Sequence, residues 1–149
     1  MQDVHLRHMI KRDFLKRQLE ELGRAIAKVI EDAQKLKEEG KVNEGIIKVN
    51  EAINDTFHLS VEDIVHIPLT NFIEVLVNEK KLSVTHLNYL GNLLYKATEL
   101  DEQKNQMTNI KNLHEKILAL FDYVNLTEKT FSFERDTKIK AIEGLLKEK

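Results

Sequence analysis

Between Asp13 and Leu36 the segment DFLKRQLEELGRAIAKVIEDAQKL places apolar residues at Leu15, Leu19, Leu22, Ile26, Val29, Ala33 and Leu36. The spacing alternates between four and three, a heptad seam about three heptads long, which predicts a helix that buries one stripe against a partner. That helix is expected to run from about residue 3 to residue 39, with every later segment reading as a shorter helix packed on it. Gly40, after a last turn rich in Lys and Glu, predicts a left-handed helix end. A second stripe at Ile46, Ile47, Val49, Ile53 and Phe57 predicts a second helix capped by Asn43. So short a turn makes the two helices an antiparallel hairpin.

Ser60 followed by Asp63 is a capping pattern. The short run Val61–Ile67 then meets Pro68, which disfavours helix at Ile67 and suits the first position of a new helix. Leu69, Phe72, Ile73, Leu76 and Val77 give that helix its stripe. Leu82-Ser83 ends it and caps the next, where Leu87, Leu90, Leu94 and Ala97 recur at helical spacing. A further helix over roughly residues 102–123 turns Met107, Ile110, Leu113 or His114, Ile117 and Phe121 inward, and a loop follows over residues 125–130. Ser132 or Thr130 caps a last helix over about residues 132–148, holding Phe133, Ile139, Ile142 and Leu146. No segment alternates as a strand does. The expected fold class is all-α, a single domain of six or seven helices with a long N-terminal one.

Helix geometry leaves a remainder. A first helix of about 36 residues is about 54 Å long, and a second of about 16 residues is about 24 Å. Folding back from Gly40, the second reaches only about as far as Ile26. Arg12, Leu15, Leu19 and Leu22 therefore need another cover, supplied by later helices of the same chain or by a second copy of the first. The intrachain answer is favoured, and a homodimer through this face remains open.

Composition narrows the class. The chain has 149 residues, 42% hydrophobic and 32% charged, so it is neither disordered nor membrane-like. It has no cysteine, which excludes disulfides, thiol nucleophiles and cysteine metal sites. A net charge of -2 argues against a dedicated nucleic-acid binder. The polar N-terminus does not read as a signal peptide, and no run is long and apolar enough to span a bilayer. A cytoplasmic protein with no membrane partner is expected. Charge is unevenly spread: residues 1–28 carry seven Lys/Arg against four acids, and residues 31–66 carry nine acids against four lysines. The reading preferred for this split is that the acidic segments lie near the basic one, since exposed pairs contribute only about 0–1 kcal/mol each.

KEEGKVNEGIIKVNEAI, residues 37–53, resembles the turn and second helix of a tetratricopeptide repeat, with Gly40, Val42, Gly45 and Ala52 at matching positions. Leu87, Leu90, Gly91 and Leu94 resemble the first helix of such a repeat. The aromatic first anchor and the repeat-closing proline are absent, and the fragments are not a multiple of about 34 residues apart. The resemblance implies a degenerate, tetratricopeptide-like array of antiparallel helical hairpins, with the repeat-like hairpin over about residues 20–58. The opening DFLKRQLEELGRAIAKVI is also similar to a family of small uncharacterised bacterial proteins, through Phe14, Arg17, Gln18, Leu19, Leu22, Gly23, Ile26 and Ala27. That likeness implies a bacterial, cytoplasmic, helical protein and brings no activity with it.

Candidate chemistry is sparse. His5 and His8 beside Asp3 have no third ligand at diagnostic spacing, so a solvated helix end is preferred over a metal site. His58, Glu62, Asp63 and His66 straddle a helix boundary. Gly23 and Gly45 lie within helices at a cost of roughly 1 kcal/mol each, which points to close helix crossings. Asn88, Tyr89, Asn92 and Tyr95 share a region, and a curved array would let them line a groove for a peptide. No phosphate-cradling loop, nucleophile elbow or zinc-protease helix is present. The expectation is a non-enzymatic interaction or scaffold module without cofactor or metal, whose partner is another protein or a second copy of itself. Two alternatives are a small regulator that binds nucleic acid through its basic N-terminal helix, and a small-ligand-binding helical protein.

Overall fold

The computed structural model describes residues 2–101 and 109–147. Among them are seven helices and no strand. Helix α1 spans Gln2–Glu38 and α2 spans Val42–Phe57. Gly40 between them has a φ of +80°, the left-handed value that a residue without Cβ adopts at no steric cost. Asn43 does not cap α2: the helix already includes Val42, and Lys41 holds the cap position without a side-chain bond. The tight turn leaves no extended residue at Asn43 from which a cap would be made.

Helix α3, Val61–His66, begins with the reciprocal capping box expected of Ser60 and Asp63, each side chain accepting the other's backbone N–H at 3.0 Å. Ile67 is extended ahead of Pro68. Pro68 stands just outside the next helix rather than at its first position. That helix, here α4, is composite: a 3-10 turn Leu69–Asn71, an α turn Phe72–Glu74 and a π stretch Val75–Glu79. Lys81 turns left-handed at its end, and the Leu82 N–H reaches back to the Leu76 carbonyl. Helix α5, Val84–Asp101, opens with the Ser83 hydroxyl accepting the His86 N–H.

Helix α6 spans Ile110–Glu128, and α7 spans Phe133–Lys147 with Ser132 capping it through the Arg135 N–H. The loop expected over residues 125–130 shrinks accordingly. Lys129 takes the left-handed conformation that stops α6, and buried Arg135 grips Asn125 and Glu128 in its last turn. Met107 and residues 102–106 lie outside the described residues, as do the side chains of Asp3, His5 and His8.

The centre of the fold is α5, not α1. Leu87, Leu90, Leu93, Leu94 and Ala97 are fully buried, and the helix packs on α1, α2 and α6. Two glycines permit this density. A Cβ on Gly91 would sit 2.5 Å from the Phe121 ring of α6, and one on Gly45 would sit 3.1 Å from the Ala33 carbonyl of α1. Three cations complete the core by satisfying acceptors. Lys116 of α6 donates to the Ile64 and Val65 carbonyls at 2.7 and 2.8 Å, closing the C-terminus of α3, and lies 5.6 Å from the Phe72 ring centroid. Burial pushes its ammonium below the usual lysine range. Lys96 of α5 ties Gln34 of α1 to Glu99. Arg135 of α7 donates to Asn88, Asn125 and Glu128 and so joins α5, α6 and α7.

Candidate functional site

Helix α1 lives in two environments. From Ile26 to Ala33 its seam is covered by α2 and α5. Cover thins at Leu22 and Leu19, which are half-buried, and its last anchor is Tyr89 of α5. The Tyr89 hydroxyl donates to the Leu19 carbonyl at 2.9 Å and lies where a Cβ on Gly23 would be, 2.6 Å away. Gly23 is thus the site of a close crossing, as its place inside a helix suggests. N-terminal to Leu19 the helix runs on past the bundle. Met9, Ile10, Phe14 and Leu15 are 50%, 60%, 55% and 48% exposed, and Arg12 is exposed beside them.

The later helices therefore do not close the seam as favoured from length alone. They cover Leu22 and part of Leu19 and leave Leu15 and Arg12 open, because α5 begins only at Val84, five residues before its contact with Leu19. Ile10 and Phe14, four residues apart, form a second apolar strip outside the heptad seam. Extending the seam upstream leads to Arg12 and His8, whereas the larger exposed groups lie at other positions around the helix. Their spacing of four in the uncovered half is the sequence signal that marks them.

The overhang is also basic. Arg7, Lys11, Arg12, Lys16 and Arg17 are exposed over residues 7–17, with Asp13 the acid among them. Asp13, Lys16, Arg17 and Glu20 rim a shallow surface hollow of about 220 Å³. Its lining is mostly polar, which gives a small molecule little apolar surface to rest on.

Asn88, Tyr89, Asn92 and Tyr95 share one side of α5 but do not line an open groove. Asn88 accepts from Arg135 at 3.2 Å, and Asn92 accepts from Lys138 at 2.8 Å. Lys138 also lies 5.6 Å from the Tyr95 ring centroid. Helix α7 thus takes the place of the expected peptide, while Tyr89 turns to α1. Burial pushes the Lys138 ammonium down, while Glu134 and Glu99 pull it back up. The cations that fill the groove, Arg135 and Lys138, are not among the residues singled out from the sequence, since a hydrophobic pattern passes over them.

His58, Glu62, Asp63 and His66 do not converge on a metal. His58 is the left-handed end of α2, Asp63 is engaged by the Ser60 N–H, and the His66 ring bonds the Glu62 carbonyl at 2.7 Å. That engagement holds the Asp63 carboxyl below its ordinary value. Among the described residues no three His, Asp or Glu side chains are placed to share a metal ion. Glu62, Asp63 and His66 instead edge an open depression of about 500 Å³ beside Pro68 and Val75. Among the described residues no helix is long and apolar enough to cross a membrane.

Comparison with family models, curated proteins and solved structures finds no match. The surface itself therefore carries the functional argument, and its most distinctive part is the overhang of α1.

Proposed function

We propose that this chain is a non-enzymatic protein-binding module, a tetratricopeptide-like helical array that presents the uncovered half of α1 to a protein surface. One observation carries the reading: four large apolar side chains, Met9, Ile10, Phe14 and Leu15, stand about half exposed on a helix whose own chain stops covering it at Leu19. Apolar area of that kind gains roughly 25 cal/mol per Å² when removed from water, and a monomer gains nothing by displaying it. The bundle below is the rigid mount: Tyr89, Lys96 and the Ala33–Gly45 crossing fix the root of the overhang.

The test is a photoreactive side chain at position 14, compared with one at Glu51 on the exposed side of α2, in the cells that make the protein. A protein adduct from position 14 and none from position 51 is expected. Adducts from neither position, or equally from both, would overturn the reading. A second reading rests on the five exposed cations of the overhang, which suit a nucleic-acid backbone. It predicts binding that weakens steeply with salt, and the absence of any shift of DNA or RNA at low salt would end it.

A further inference from the structure

The same end of the bundle carries a second apolar surface. Leu126 in the last turns of α6, Phe131 in the loop and Phe133 at the start of α7 are 77%, 76% and 75% exposed. Phe133 was expected in the core. The inward face of α7 is set instead by Arg135, Lys138 and Ile142, three and four residues apart, and Phe133 falls off that face. Adjacent residues of α5 fix both surfaces at one end: Asn88 holds Arg135 next to the turn, and Tyr89 holds Leu19 at the root of the overhang.

The two surfaces are opposite in charge. Residues 7–17 carry five cations against one acid, and residues 122–136 carry Asp122, Glu128, Glu134 and Asp136 against Lys129 and Arg135. Arg135 pairs with Glu128 and Asp136 with Lys140, both at 3.1 Å, which leaves Asp122 and Glu134 against Lys129. Within one chain the surfaces cannot meet, because α1 is continuous from Gln2 to Glu38 and carries the overhang away from its own bundle. A second copy supplies the missing geometry. With the two copies facing end to end, the overhang of each runs toward the turn of the other.

We infer that the occupant of the α1 overhang is a second copy of this chain, joined in a closed two-fold dimer in which Ile10 and Phe14 of each protomer seat on the Leu126–Phe131–Phe133 surface of the other. The inference rests on the protein-binding reading above and names the partner of that same face. Such an interface is isologous: each copy gives one overhang and receives one, so assembly stops at two. Charge selects this contact over a simple antiparallel pairing of the two overhangs, which would lay two segments of net +4 side by side. Apolar contact supplies the affinity and charge supplies the orientation, so association should weaken with added salt without vanishing.

The experiment is light scattering on a sizing column over a dilution series of the full chain and two surface variants. One variant is Ile10→Asp with Phe14→Asp, and the other is Phe131→Asp with Phe133→Asp. All four positions are exposed, so both variants should keep the helical circular dichroism of the parent, and its melting temperature at dilutions where the parent too is monomeric. The parent is expected at twice the chain mass, each variant alone at the chain mass, and an equimolar mixture of the two variants partly back at twice the mass. The mixture recovers because the intact overhang of one variant meets the intact turn of the other. A turn variant that remains dimeric would overturn the inference in favour of overhang-to-overhang pairing. A parent that stays monomeric at every concentration would overturn it too. In that case an adduct to a different protein at position 14 would leave the binding reading standing, sedimentation with phosphatidylserine vesicles would hand the overhang to a lipid surface, and the absence of both would sink the two together.

Discussion

Ala33 and Leu15 belong to one heptad seam, yet the first is fully buried and the second is 48% exposed. The difference lies in the partners. Opposite Ala33, Gly45 lets α2 approach within van der Waals contact, and Lys96 of α5 reaches over to the neighbouring Gln34. Among the described residues none covers Leu15 as Gly45 covers Ala33, because α2 has already turned at Phe57 and α5 starts at Val84. A seam therefore states that a helix wants a partner and does not state which chain provides one. One half of α1 carries folding free energy, and the other half, on the reading proposed above, is left for association.

The sharpest way to test that division is to truncate one side chain in each half. Ile26→Ala, at 4% exposure, should destabilise the fold by about 2–4 kcal/mol, through lost burial and the cavity left behind. Phe14→Ala, at 55% exposure, should fall within about 0.5 kcal/mol of the parent under conditions where the protein is monomeric. Urea melts of both variants measure this directly, and similar losses at the two positions would break the comparison. Gly45→Ala comes next in size. The new methyl gains about 1 kcal/mol of helix propensity. It also presses on a backbone carbonyl 3.1 Å away, a strain of about 1–3 kcal/mol, so a net loss is expected. Gly144→Ala meets nothing within 4 Å and should stabilise.

Much of the fold was legible because it follows from local chemistry. Gly40, the Ser60–Asp63 box, Ile67 ahead of Pro68, and the Ser132 cap are each fixed by a few neighbouring atoms. The centrality of α5 was not legible, because its buried surface includes Lys96, Thr98 and Asp101, which a hydrophobic pattern counts as solvent-facing. Lys116 misleads in the same way: it is buried because two carbonyls at the end of α3 await it, a fact of tertiary structure alone. At the candidate site, the root of the overhang at Leu19 and Leu22 was visible as an uncovered remainder of length. The exposure of Phe133 was not, since the pattern groups it with Ile139, Ile142 and Leu146 although it lies off the face that Arg135, Lys138 and Ile142 turn inward.

The boundary between the two halves is itself a prediction. Tyr89→Phe removes the hydrogen bond to the Leu19 carbonyl and should cost about 1 kcal/mol. Hydrogen exchange should then quicken in residues 19–25 and change little in residues 26–36, which α2 and Lys96 still hold. In the parent at low concentration, amides of residues 7–17 should exchange faster than those of residues 26–36, because only the latter are shielded by packing. Equal protection in a monomer would mean that the overhang has a cover within the chain.

The smallest effect expected is a pH dependence at the foot of the overhang. His86 lies between Ser83, whose N–H and hydroxyl meet its Nδ1 at 3.3 and 2.8 Å, and the Phe57 ring, edge-on at 6.4 Å between centroids. Burial holds its pKa below the ordinary 6.5, so the folded chain keeps the ring neutral where the unfolded chain would protonate it. The stability this contributes is fully present above pH 6.5 and is lost as pH falls below that value toward the lower folded pKa. Protonation also turns Nδ1 from an acceptor into a donor and so forfeits the Ser83 N–H bond that starts α5. His86→Gln keeps an acceptor for that cap without the titration, so its melting temperature should be flatter than the parent's between pH 7 and pH 5. If the two slopes are the same, the acid sensitivity of this end belongs to another group and the Ser83–His86 cap is not its source. A steeper parent slope would place the first acid-induced loosening at the N-terminus of α5, three residues from the Tyr89 anchor that separates the covered half of α1 from the free one.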